Sequence, residues 1–430
     1  MQNVLLITID SLRADAVGAL SGRTGPDSPT PSLDRLIAEG AVFTRAFSQG
    51  GTTQTSFPAL LSGQYLCRHR DAYKGLSADR PLLSEAFAAA GARTCAFNSN
   101  PYISRHLNYH RGFSDFYDNL PASPRSGFFH RANIAYQKAR ALFVAPYVPA
   151  NQLNRQVFSW LDRAPRPFFL WVHYMDVHGP YVPVSGFAPL SRLRAGFLWK
   201  KANHRPAEVS GTEKQALYAD YRDKVRFCDG HAGELLHRLA GPDTLTVLTA
   251  DHGDLFGEKG IFAHPPRVLY DKLLHVPLVF HQPGTVSPAR YDAPVSLLSL
   301  APTILDLAGL SPVPPAPLDG TSLAPGMAGG QNPTARDMIH ESWTKVLAVR
   351  RHPYKLIADF TKNRFELYDT RNDPDETTDL APQRPDLVEE MTQTARQHLL
   401  DVNASAEDLE AAGYTPDSAV AIQLKSLGYL

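Results

Sequence analysis

TLTVLTADHGDLFGEKGIFAH, residues Thr244 to His264, decides the fold. Residues 244 to 249 form an apolar, β-branched run, the pattern of a strand buried on both faces of a parallel sheet. The run leads straight into Asp251-His252-Gly253. In an open α/β sheet, chemistry collects in the crevice beyond the carboxyl ends of the strands. An adjacent carboxylate and imidazole there suit a divalent metal, while Ala250 and Gly253 leave room for close backbone approach. The same tripeptide also serves as an ordinary strand-to-loop turn, so other stretches have to supply further ligands.

Asn3 to Thr8 is a second such run and delivers Asp10, followed by Ser-Leu-Arg-Ala-Asp15. Two strands ending in carboxylates can lie side by side and converge on one cation; the alternative for Asp10 is a cap on the next helix. Gly50 to Gly63, GGTTQTSFPALLSG, places small and hydroxyl residues ahead of a short helix. The free amides at such a helix start attract an anion, and a hydroxyl there becomes a nucleophile when a metal lowers its pKa. Arg166 to Trp171 reads as a third buried strand, leading to His173, Asp176 and His178. His173 is expected to be a core histidine. Asn100, at the end of the strand Thr94 to Asn98, is an oxyanion contact or a plain turn residue.

The composition sets the bounds. With 430 residues, 43% hydrophobic and 20% charged, the chain can form one large α/β domain plus a smaller appendage. Lys+Arg and Asp+Glu stand at 43 each, so no global charge draws it to nucleic acid or an anionic membrane. Three widely spaced Cys indicate neither a disulfide framework nor a zinc knuckle. The opening MQNVLLITID lacks the basic flank and apolar length of a signal peptide, and no later run is long enough for a membrane span. The expectation is a soluble, cytoplasmic protein.

Elsewhere, amphipathic helices are expected at 131 to 143, 152 to 162 and 215 to 239, with Asp229 structural, and a strand at 41 to 47. Residues 184 to 210, carrying Arg192, Arg194, Lys200, Lys201 and Arg205, read as a basic loop near the mouth. The Pro-rich stretch 311 to 325 reads as a surface linker. We place a catalytic domain at 1–325 and a small α+β subdomain with a terminal helical tail at 326–430. Strands are expected there at 338 to 341, 346 to 350, 355 to 358 and 364 to 368, with a helix at 385 to 400.

Taken together, IDSLRAD, a hydroxyl ten positions before the Gly of LLSG, and TADHGDLFGEKG resemble the sulfatase family of the alkaline phosphatase superfamily. The likeness continues in order through VHYMDVHGPY, YDKLLHVPLV, LAPTILDLAG, LDGTSL, RRHPYKLI, ELYDTRNDPDET and the terminal LKSLGYL. It implies a mixed α/β sheet sandwiched by helices, with the C-terminal subdomain packed against it and contributing to the cleft. Sulfatases proper carry a Cys or Ser, x, Pro, x, Arg motif whose first residue becomes formylglycine. Here Thr53 holds that place, with Thr55 for the Pro and Phe57 for the Arg. The usual Asp pair is Asp10-Ser11, and Phe97 to Tyr102 replaces the Gly-Lys-Trp-His segment.

A Thr nucleophile resembles the phosphoryl-handling branches of the superfamily. By that resemblance Asp10, Thr53, Asp251 and His252 form the metal site, with Mn²⁺ or Zn²⁺ favoured over Mg²⁺ or Ca²⁺. His178 matches the family's active-site histidine, and His264 stands where sulfatases carry a Lys. Asp176, His178 and His264 either form a second metal site, or His178 is the leaving-group acid and His264 binds the anion. The expected activity is metal-dependent hydrolysis of phosphate, phosphonate or sulfate esters through a covalent Thr53 intermediate, on a small-molecule, glycan or lipid ester. Phosphodiester cleavage, phosphoryl transfer and a non-catalytic binding protein are the alternatives.

Overall fold

The computed structural model describes residues 2–69, 75–120, 147–182, 189–333, 336–342 and 345–402. An eight-stranded sheet forms its centre. From one edge to the other its strands are Ala289–Tyr291, Ala41–Phe43, Leu278–His281, Thr244–Ala250, Asn3–Ile9, Phe168–Tyr174, Arg93–Phe97 and Asp115–Tyr117. Only Leu278–His281 runs against the others. Every residue of Asn3–Ile9, Phe168–Tyr174 and Thr244–Ala250 is buried, as expected of parallel strands covered on both faces. Their register is level, with Ile9 opposite both Tyr174 and Ala250. The residues that follow these three strands therefore emerge at one edge.

Helices flank the sheet. The long helix Gly211–Leu239 buries Leu217, Val225, Leu235, Leu236 and Leu239 and packs beside Pro31–Glu39 and Ala150–Leu161. Asp229 reaches out of it to accept the amides of Ser32 and Leu33 at 3.0 and 2.9 Å, capping the start of the neighbouring helix. This is the structural role expected of it. No helix among the described residues is long and apolar enough to cross a membrane.

Met338–Glu341, Val346–Arg351, Tyr354–Asp359 and Arg364–Asp369 form an antiparallel meander. Alternation with a period of two divides its side chains between two cores. Ile339, Leu347, Val349, Leu356 and Leu367 pack under Leu387, Met391 and Ala395 of the helix Pro385–Asp401. Met338, Val346, Ala348, Ile357 and Tyr368 face the other way, onto Phe47, Leu269 and Leu274.

Three expectations change. The strand expected at 41 to 47 is broken in two, because Ala41–Phe43 joins the large sheet while Ala46–Phe47 pairs with His275–Val276 and Val295–Ser296. The third buried strand is Phe168–Tyr174 and so includes His173. The expected basic loop contains a helix, Pro189–His204, which buries Ala195, Leu198, Trp199 and Ala202 at helical spacing. Its Trp199 ring covers Gly179, where an added Cβ would lie 2.3 Å from the indole. The helix expected at 131 to 143 and the terminal tail lie outside the described residues.

Candidate active site

Asp10 and Asp251 leave adjacent strands one residue past the paired Ile9 and Ala250, and both are fully buried. Ser11, which follows Asp10, has φ 59°. In that left-handed conformation its amide donates to Asp251 Oδ1 at 3.2 Å and its hydroxyl donates to Asp10 Oδ1 at 2.9 Å. One serine thus ties the two carboxylates together where the sulfatase pattern has a second Asp. The His252 amide also donates to Asp251 Oδ1, at 2.9 Å.

Gly253 is required by close packing: a Cβ there would lie 2.1 Å from the Lys272 carbonyl oxygen, and its amide donates to Leu273 O at 2.7 Å. The His252 ring turns back so that Nδ1 lies 2.7 Å from the Gly253 carbonyl oxygen. A carbonyl can only accept, so Nδ1 carries the proton and Nε2 presents its lone pair. That Nε2 lies 3.4 Å from Thr53 Oγ1, 3.5 Å from Asp251 Oδ2 and 3.9 Å from Asp10 Oδ1.

Thr53 is the first residue of the helix Thr53–Ser62. Thr52 starts that helix, its amide donating to Thr55 Oγ1 at 3.2 Å and its hydroxyl 3.0 Å from the same oxygen. This leaves the Thr53 hydroxyl to point into the crevice. Thr53 Oγ1 donates to Asp251 Oδ2 at 3.0 Å and lies 3.5 Å from Asp10 Oδ2. Asn100 Nδ2 reaches both Asp10 Oδ2, at 2.9 Å, and Thr53 Oγ1, at 3.4 Å. Five of the residues singled out in the sequence, Asp10, Thr53, Asn100, Asp251 and His252, therefore meet at one point. Phe57, at the place of the sulfatase Arg, is fully buried and packs its ring 5.4 Å from Trp171 and 5.1 Å from His173.

One carboxylate oxygen each of Asp10 and Asp251 and one nitrogen of His252 lie within 4.8 Å of one another. Two acidic groups in a dry site are unfavourable without a counter-charge. Burial would push Asp10 up, but His178, His173 and His252 outweigh it and hold the carboxyl well below the usual range. Burial, reinforced by the charge of Asp10, pushes Asp251 up to about 7. A divalent cation fits this donor set, because it lets both carboxylates ionise together and takes the His252 lone pair.

The sign of a pH effect follows. Asp251 has a raised folded pKa, so its stabilising contribution to the metal-free protein is complete below the ordinary value of 3.8 and disappears as pH rises through about 7. A bound cation needs the ionised form. The rise in Tm on adding Mn²⁺ to chelator-treated protein is therefore expected to grow from about pH 6 to about pH 8. Differential scanning calorimetry tests this, and a pH-independent rise would contradict it.

Facing this cluster are His178 and His264, with ring centroids 5.0 Å apart, and His264 lies 4.5 Å from His252. His178 directs Nδ1 to its neighbour's carbonyl, Gly179 O, and burial drives it down to about 4 despite Asp10. His264 Nδ1 lies 3.1 Å from Asp254 Oδ1, and Tyr181 donates its hydroxyl to the other Asp254 oxygen. Arg13 donates to the Asp254 carbonyl at 3.0 Å and pairs with Asp15 and Glu258.

The second metal site expected from Asp176, His178 and His264 does not form among the described residues. Asp176 turns away: its Oδ2 accepts the Ala150 amide at 2.9 Å at the start of the helix Ala150–Leu161. Burial pushes its carboxyl up to about 6 although Lys224 is close. Two residues at the site were not read as such from the sequence. Asp254 sits in the quoted stretch, three residues after Asp251, and orients His264. His173 is in the core as expected, and from there it also approaches Asp10, with Nε2 3.3 Å from Oδ2.

Comparison with known proteins gives the family. The sulfatase family model matches residues 2–310, and the model described as N-sulphoglucosamine sulphohydrolase, C-terminal, matches residues 257–404. The chain belongs to the sulfatase family. Among its relatives, a choline-sulfatase of Rhizobium meliloti is 28% identical, over 95% of this chain and 87% of its own. A Delta 4,5-hexuronate-2-O-sulfatase of Bacteroides thetaiotaomicron is 25% identical over 88% of this chain and 84% of its own. The phosphonate monoester hydrolase of Agrobacterium radiobacter shares the fold, with a TM-score of 0.71 at 20% identity, over 94% of this chain and 96% of that one. As a sulfatase-family protein the chain is an ester hydrolase by descent. It is also a member in which Cys67, Cys95 and Cys228 are all buried and free, and the residue at the focus of the site is Thr53.

Proposed function

We propose that this sulfatase-family chain is a divalent-metal-dependent hydrolase of phosphate, phosphonate or sulfate esters, with Thr53 as nucleophile. The observation that carries the proposal is the position of Thr53 Oγ1, 3.0 Å from Asp251 Oδ2 and 3.4 Å from His252 Nε2, at the first turn of a helix. Asp10, Asp251 and His252 would hold the cation, with Mn²⁺ or Zn²⁺ the best match to a mixed carboxylate and imidazole set. Bound there, a divalent ion lowers the pKa of a nearby hydroxyl and offsets charge on the ester oxygens.

The protein groups do the rest. The Thr53 hydroxyl gives up its proton along its hydrogen bond to Asp251, and Oγ attacks phosphorus or sulfur in line with the ester oxygen. The bond to that oxygen breaks, and the leaving oxygen takes the electron pair and a proton. His178 supplies the proton, because an anionic ester beside the ring raises the affinity of Nε2 for one. His264, held by Asp254, and Asn100 contact the remaining ester oxygens. Water then gives a proton back to His178 and adds to phosphorus or sulfur, the bond to Thr53 Oγ breaks as that oxygen recovers its proton from Asp251, and inorganic phosphate, a phosphonate or sulfate is released.

Nitrophenyl phosphate, phosphodiester, phosphonate and sulfate esters, each offered with Mn²⁺, Zn²⁺, Mg²⁺ or Ca²⁺, test this reading. Turnover of at least one ester is expected, lost on chelation and restored by Mn²⁺ or Zn²⁺. Turnover unchanged by chelation would remove the metal from the account.

A further inference from the structure

His173 lies on the central strand Phe168–Tyr174, fully buried, one strand away from Asp10 and in register with Thr8. Its two ring nitrogens have different neighbours. Nδ1 lies 2.9 Å from Thr8 Oγ1, and the indole Nε1 of Trp171 lies 3.0 Å from the same oxygen. An indole N–H can only donate, so it fills a lone pair of the Thr8 hydroxyl. Among the described residues no other acceptor meets the proton of that hydroxyl, which directs it to the lone pair of Nδ1. A neutral His173 must therefore carry its ring proton on Nε2. This Nε2 lies 3.3 Å from Asp10 Oδ2, close enough for an ion pair but without aligned hydrogen-bond geometry, and it has no hydrogen-bond partner among the described residues. Buried N–H groups are costly to leave unpaired, which directs it onto the carboxylate.

This is the reverse of the tautomer at His252, where a backbone carbonyl on Nδ1 turns a lone pair toward the cluster. Phe57 stacks edge-on against His173 with 5.1 Å between ring centroids, so the imidazole is wedged as well as hydrogen-bonded. Position 57 is thus occupied by an apolar support for this ring.

We infer that Trp171, Thr8 and His173 form a buried donor relay ending on Asp10, and that His173 is a positioning residue which holds Asp10 as a metal ligand. Asp10 Oδ2 accepts from Asn100 and faces His173 Nε2 at 3.3 Å, while Oδ1 is the oxygen on the His252 side, 3.9 Å from its Nε2. The relay rests on the metal reading proposed above, because what it positions is a cation ligand. Thr8 acts on that ligand through His173 and makes no side-chain hydrogen bond to Thr53 or His252 among the described residues.

Thr8→Val keeps the shape of the side chain and removes the hydroxyl, whereas Thr8→Ser keeps the hydroxyl. Binding of Mn²⁺ to chelator-treated protein, read by isothermal titration calorimetry, is expected to weaken roughly 10-fold to 100-fold in Thr8→Val and to recover in Thr8→Ser. Nitrogen-15 NMR of the wild type is expected to show His173 protonated at Nε2 and bare at Nδ1, whether or not metal is added. A proton on Nδ1 would overturn the relay, as would equal Mn²⁺ affinity in the wild type and a folded Thr8→Val. If the wild type binds no Mn²⁺, the metal reading fails together with the positioning role, and the nitrogen spectrum still decides the tautomer.

Discussion

Thr53→Ala is expected to lower turnover of every ester that the wild type cleaves by on the order of 10⁴-fold or more, the scale seen when a nucleophile is removed from an intact site. The substitution leaves Asp10, Asp251 and His252 in place, with Asp251 still anchored by the Ser11 and His252 amides. Mn²⁺ should therefore still bind, with an affinity within a fewfold of wild type, and the fold should persist. The pairing of lost turnover with retained metal separates a missing nucleophile from a collapsed site. Steady-state kinetics and calorimetry on the same preparations provide both readouts. Activity within tenfold of wild type would remove Thr53 from its assigned role.

The second large effect concerns stability. Lys355, fully buried on the meander, donates to Asp271 Oδ1 at 2.7 Å and to Glu376 Oε1 at 2.6 Å. Arg350 pairs with the same Asp271 and lies over the Phe47 ring, 3.8 Å from its centroid. Burial would raise Asp271, but Arg350 and Lys355 outweigh it and hold the carboxyl well below the usual range. Lys355→Met removes the cation that bridges two buried carboxylates and strands Glu376. Breaking such a buried group on one side costs about 3–5 kcal/mol. Asp271 begins the turn whose Lys272 and Leu273 carbonyls crowd Gly253, so the damage reaches the active-site loop. Denaturant unfolding of the metal-free proteins measures the loss, and a change under about 1 kcal/mol would show that the cluster is not holding the meander to the sheet.

Much of this was legible in the sequence because the two strand runs and their trailing carboxylates obey one rule. An apolar run buried on both faces says where the sheet is, and the polar residues that break it say where the strand ends. The meander was equally clear, since Leu347 and Val349 alternate with Val346 and Ala348 between its two cores. Thr53 could be picked out from the neighbouring hydroxyls only by its distance from Gly63 in a known pattern; its orientation comes from Thr52 and Thr55 capping the helix.

What was not legible depended on partners far away in the chain. His173 lies in a strand with no polar face, so nothing in FFLWVHY says which neighbour its ring meets; the register with Thr8 does. Asp176 is a ligand candidate by family resemblance, yet the turn after Tyr174 sends it to a helix start at Ala150. In the sequence of the helix Pro189–His204, basic residues and Gly196 obscure the buried stripe that packing on Gly211–Leu239 creates. Asp254 carries no local signal, because its partners are His264, ten residues ahead, and Tyr181, on another segment.

The central claim is that the ester group is transferred to Thr53. Rapid quenching of the Mn²⁺-loaded protein during turnover of a slowly hydrolysed ester, followed by peptide mass spectrometry, tests it most directly. One phosphoryl, phosphonyl or sulfuryl group is expected on the peptide containing Thr53, absent from Thr53→Ala. The same group found on another residue, or ester turnover persisting in Thr53→Ala, would contradict it.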